Sequence, residues 1–84
     1  MPNEPSKLSN RLRRLRFENG EMTQQALAER VGVTRQTIIA LEAGKYVPSL
    51  LLAFRLARVF GVSVEEVFQL EGEAGQADGK ARRP

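Results

Sequence analysis

The sequence predicts an all-α fold, a compact domain of five short helices. Three observations carry this. Large apolar residues recur at three- and four-residue spacing, which puts them on one side of a helix. Ser or Thr stands before most of these runs and Gly after them, as helix caps require. No stretch alternates apolar with polar residues as a half-buried strand would.

The chain begins with MPNEPS, two prolines and no periodicity, expected to be a flexible arm over residues 1–6. A first helix is expected from near Ser6 or Ser9 to Asn19–Gly20, with Leu8, Leu12 and Leu15 as its apolar stripe. A second follows Thr23, a good N-cap, with Met22 and Leu27 as a hydrophobic staple, and ends at Gly32. A third follows Thr34, stapled by Val33 and Ile38, and runs to about Ala43 before Gly44. Lys45–Pro48 is a loop, kept extended because Pro48 disfavours helical geometry at Val47. The fourth helix follows Ser49, buries Leu50, Ala53, Leu56, Ala57 and Phe60, and ends at Gly61. Ser63 and Glu66 form a capping box for the fifth, which is expected to end near Leu70. Residues 71–84, EGEAGQADGKARRP, lack large apolar residues beyond this point and read as a disordered polar tail. The folded domain is therefore placed at residues 7–70.

Composition narrows the function. The chain has 84 residues, net charge +3, no Cys and no His. Disulfides, thiolate zinc sites, imidazole ligands and the commonest general base are thereby excluded. Residues 7–70 hold ten Lys/Arg against six Asp/Glu, a basic balance suited to nucleic acid. Glu65 and Glu66 are adjacent rather than convergent, and Gly44-Lys45 lacks the remaining glycines of a phosphate loop. No enzyme, metal, cofactor or small-molecule ligand is expected. No apolar run approaches the roughly 20 residues of a membrane span, and no signal core is seen, so a cytoplasmic location is expected.

Gln24–Glu42 carries the most specific pattern. Two short helices that cross steeply need a small residue at the crossing, a turn tolerant of positive φ, and apolar inward faces. Ala28 and Gly32 fill the first two slots; Leu27, Val31, Val33, Ile38 and Leu41 fill the third. The outward residues of the third helix are Arg35, Gln36, Ile39, Ala40 and Ala43. Arg pairs with guanine O6/N7, Gln with adenine N6/N7, and Ile39 suits a thymine methyl. The free N–H groups at the start of the second helix favour phosphate. Lys45, and more weakly Thr34 and Tyr46, are further phosphate candidates, Tyr46 being equally suited to packing on the fourth helix.

TQQALAERVGVTRQTIIALEAGKYVPSLLLAFRLARVFGVSVEEVF, and LEAGK and PSL within it, resemble the Cro/CI-type (XRE) helix-turn-helix repressors, whose unit is the lambda-repressor-like five-helix DNA-binding domain. The resemblance spans about residues 8–70. It implies sequence-specific binding to a duplex DNA operator, usually as a homodimer regulating transcription, with helix 34–43 in the major groove. By motif position it implies base contacts from Arg35, Gln36, Thr37, Ile39 and Ala40, and a phosphate contact from Gln24, which also braces the reading helix. Ala40 departs from the longer polar residue common there, so readout at that base is expected to be weak. The resemblance also implies an ion pair between Arg16 and Glu42. Arg11, Arg13 and Arg14 are read as solvated, the alternative being a phosphate-facing ridge.

The fourth helix has more apolar residues than one face can bury, with Leu51, Leu52, Phe54 and Val59 off its stripe. Leu51, Phe54, Val64 and Phe68 are therefore candidates for a dimer interface. The competing reading is a protein-interaction module on the same fold, such as an antitoxin or a transcription bridging factor.

Overall fold

The computed structural model describes residues 7–71. The arm expected at residues 1–6 and the tail from residue 72 onward lie outside that range. Five helices, α1 (Leu12–Glu18), α2 (Gln24–Val31), α3 (Arg35–Glu42), α4 (Leu50–Phe60) and α5 (Val64–Val67), are framed by two short strands, β1 (Lys7–Asn10) and β2 (Phe68–Glu71).

Each of the last four helices starts where its cap residue stands. The side-chain oxygens of Thr23, Thr34, Ser49 and Ser63 accept from the backbone N–H groups of Ala26, Thr37, Leu52 and Glu66 respectively. Gly32 ends α2 at φ 78°, a left-handed conformation that a β-carbon would strain. α3 ends in a Schellman motif: the Lys45 N–H reaches the Ala40 carbonyl at 2.9 Å and the Gly44 N–H reaches the Leu41 carbonyl at 3.0 Å.

The sheet corrects the all-α expectation. β1 and β2 pair antiparallel, with Lys7 opposite Glu71, Leu8 opposite Leu70, Ser9 opposite Gln69 and Asn10 opposite Phe68. α1 consequently starts at Leu12, later than its apolar spacing suggests. Arg11 stands at the N-cap and makes no side-chain cap bond; Asn10, the residue before it, accepts the Leu12 N–H on its Oδ1 at 3.2 Å. Its Nδ2 donates to the Leu41 carbonyl at 2.8 Å, tying this corner to the end of α3. Leu8 thus lies on a strand, packed against the core from outside the helix. At the other end α5 stops at Val67, three residues short of Leu70, because Phe68 turns extended (φ −121°, ψ 136°) to enter β2. β2 runs on to Glu71, the first residue of the segment read as a tail.

One core serves the domain, built from Leu12, Leu27, Val31, Ile38, Leu41, Leu56 and Val67 with smaller residues between them. α2 packs on both α3 and α4. Ala28, wholly buried, lets α2 and α3 approach. On α4 the buried stripe is Leu52, Ala53, Leu56, Ala57 and Phe60. Leu52 replaces the expected Leu50, which is 72% exposed. Both lie in an apolar run, and only one of the two can share the side of the helix that faces the core.

Candidate nucleic-acid interface

α3 presents the predicted reading residues from a fixed base. Ile38 and Leu41 anchor it in the core, while Arg35 and Gln36 are exposed and Thr37, Ile39 and Ala40 are half-buried. The one acid in the helix, Glu42, is turned into the domain. Its Oε2 accepts from Arg16 Nε at 2.7 Å and its Oε1 from Arg16 Nη2 at 3.0 Å. Gln24 Nε2 donates to the same Oε1 at 3.1 Å. Arg16 Nη1 also donates to the Met22 carbonyl at 2.9 Å. The side chains of Arg16 and Glu42 are only 13% and 11% exposed.

This node joins α1, the α1–α2 turn, α2 and α3. A bidentate guanidinium–carboxylate pair fixes angle as well as distance. The orientation of α3 is therefore set by directional bonds as well as by packing. The node also neutralises Glu42, so the outward side of α3 presents guanidinium, amide, hydroxyl and apolar groups without a carboxylate.

Thr34 and Thr37 are committed to each other. Besides the cap, their hydroxyls lie 3.1 Å apart. Either hydroxyl can still offer a lone pair or hydrogen outward, but the two act as one hydrogen-bonded unit. Gln24 likewise holds Glu42 with its amide nitrogen, which leaves one N–H and the amide oxygen. Thr23 occupies the Ala26 N–H, leaving those of Gln24 and Gln25 without a protein acceptor among the described residues. No acid lies in the first turn of α2. Lys45 is exposed, and the Schellman bond fixes its backbone one step beyond α3. Tyr46 is 45% exposed.

The candidate interface residues on the other side of the molecule divide. Leu51 and Phe54 are 61% and 57% exposed on α4, and Val64 is half-buried beside them. Leu51, Phe54 and Val64 line one open groove with Val62. Phe68 is instead in the core at 9% exposure, because β2 carries it back over the domain. It is removed from the exposed surface for that reason.

The Asn10 bonds escaped the reading of the sequence, because Asn10 stands one residue before the N-cap position, Arg11, rather than at it. The bond from Arg16 to the Met22 carbonyl has no local signal at all. Among the described residues no group of Asp and Glu comes together to hold a metal, and no helix is long and apolar enough to cross a membrane.

Comparison with known proteins agrees with this geometry. A family model described as helix-turn-helix matches residues 12–67. An uncharacterized HTH-type transcriptional regulator of Methanocaldococcus jannaschii is 56% identical over 52 residues, which cover 62% of this chain and 79% of that protein. Another, from Bacillus subtilis, is 48% identical over 66 residues, covering 79% of this chain and 98% of the relative. The crystal structure of a proposed DNA-binding protein from Bacteroides fragilis superimposes with a TM-score of 0.64 at 24% identity, covering 74% of this chain and 98% of that one, a likeness of fold.

Proposed function

The chain belongs to the helix-turn-helix family of the XRE type, and from that membership we propose that it is a sequence-specific duplex-DNA-binding transcription regulator, a repressor, with α3 in the major groove. The observation that supports this best is the state of α3. Its single acid is turned inward and neutralised, and its outward side carries Arg35 and Gln36. Arg35 and Gln36 supply the polar base contacts, Thr37 a shared hydroxyl, and Ile39 and Ala40 apolar contact with base edges. Gln24, Thr34, Lys45 and Tyr46 take phosphates and set the register. With so few polar readers, the half-site is short, and affinity rests largely on phosphates and on pairing two protomers.

The second protomer docks through the α4 surface of Leu51, Phe54 and Val64. A two-fold dimer then places two copies of α3 about 34 Å apart, one turn of duplex. Selection from random duplex DNA, followed by a salt titration, tests the whole reading. The expected result is a palindromic site and a steep, linear fall of log affinity with log salt. Failure to enrich any motif, together with a tight complex with another protein, would overturn it in favour of an interaction module.

A further inference from the structure

The side of α1 that borders α2 and α3 carries an arginine that the interface above does not use. Arg14 is paired with Glu18 at 3.0 Å on the exposed surface. Arg13, its neighbour, has no acidic partner among the described residues. Its guanidinium lies 5.9 Å from the centroid of the Phe17 ring. Phe17 is itself 56% exposed, a large apolar side chain left outside the core. An arginine resting on an aromatic face keeps its donors free while losing part of its rotamer freedom in advance.

Arg13 and Phe17 line an open cleft of about 400 Å³ together with Gln24 and Gln25 of α2 and Arg35 of α3. No Asp or Glu lines it. Arg13 and Arg35, from different helices, therefore border one cleft, which they line with the Glu42-paired Arg16 and with no carboxylate. Arg35 is on the reading helix, so the cleft adjoins the proposed groove contact. An aromatic edge beside a free guanidinium suits a sugar–phosphate backbone, which has an apolar ribose next to an anion.

We propose that Arg13, held on the Phe17 ring, contacts a backbone phosphate flanking the bases read by α3, so that the DNA footprint extends onto α1. Phe17 acts as a positioning residue through Arg13. This rests on the DNA-binding reading above and takes up, for Arg13 alone among the arginines of α1, the phosphate-facing alternative in place of the solvated one.

The test uses the full chain and the duplex obtained by selection. Arg13→Ala is expected to leave the selected motif unchanged and to reduce the slope of log affinity against log salt by about 0.9 per bound protomer. Arg13→Lys keeps the slope, and Arg14→Ala, at a paired arginine, does not alter it. Phe17→Leu weakens binding in the native background but not in the Arg13→Ala background, and Phe17→Tyr restores it. Trimming the flanking nucleotides makes native protein and Arg13→Ala bind alike. An unchanged slope in a folded Arg13→Ala protein overturns the proposal while leaving the DNA-binding reading intact. Failure of the native protein to prefer any duplex overturns that reading first.

Discussion

The outward surfaces of α3 and α4 are supported in different ways. α3 is held by apolar packing plus a polar node, in which Glu42 takes three hydrogen bonds from Arg16 and Gln24. α4 is held by apolar packing, along a stripe from Leu52 to Phe60, and its outer side shows Leu50, Leu51 and Phe54 to solvent. Apolar contact is non-directional and scales with area. A bidentate ion pair tolerates little rotation. The helix proposed to meet hydrogen-bonding base edges is thus oriented by directional bonds. The helix proposed to meet another apolar surface has no such restraint on its exposed side.

The sharpest way to break this contrast is Arg16→Ala. It leaves the mostly buried Glu42 carboxylate with only the Gln24 amide, and a loss of about 3 kcal/mol is expected by denaturant titration. An unchanged melting temperature would show that the node is not a support. Replacing the pair together, with Arg16→Met and Glu42→Leu, is expected to recover most of the stability, since apolar residues of similar volume often substitute well for buried ions. If the node works by orientation, base preference should stay blurred in that stable double variant. Recovery of sharp preference would mean packing alone suffices.

On the reading side, Arg35→Ala is expected to cost about 2 kcal/mol at one base position and to relax preference there. Lys45→Ala should instead weaken all sequences alike, and comparison across single-base variants of the site separates the two. For α4, Phe54→Ser is expected to weaken self-association by about 1.5 kcal/mol. Its effect on the monomer should stay within about 0.5 kcal/mol, because the ring is largely outside the core. Sedimentation showing the native chain as a monomer at micromolar concentration would remove the α4 interface. The smallest effect concerns the turn into α2, where Glu21 sits at φ 56°. Glu21→Gly relieves that left-handed strain and should raise stability by about 0.5–1 kcal/mol with DNA affinity unchanged.

α2 to α4 were readable because their boundaries are local. A Thr or Ser oxygen finds an N–H three residues on, and Gly32, Gly44 and Gly61 close each helix within one turn. The outward set of α3 followed from the same phase. What stayed hidden was non-local or degenerate in period. Leu8 and Leu12 are four apart, as in a helix, yet pairing with β2 places Leu8 on a strand while Leu12 opens α1. β2 has no strand signature of its own and exists because β1 lies opposite. On α4 the run from Leu50 to Phe54 is apolar at every position, so spacing alone did not choose between Leu50 and Leu52. Arg13 looked like one more surface charge until Phe17, Gln24 and Arg35 stood around it.

The β1–β2 pairing has a kinetic consequence. Ser9 and Gln69 meet across 60 positions of sequence. Closing a loop of that length costs on the order of 4 kcal/mol of chain entropy. Four residues per strand return little of it until the intervening helices have shortened the loop. The two strands are therefore expected to form last and open first. Amides of the β1–β2 ladder should exchange with deuterium well ahead of those in α2, and equal protection would place the sheet in the main cooperative unit instead. Asn10, the last residue of β1, also donates to the Leu41 carbonyl, so opening of the ladder is expected to loosen one of the two bonds on that carbonyl while the Gly44 N–H keeps the end of α3 closed.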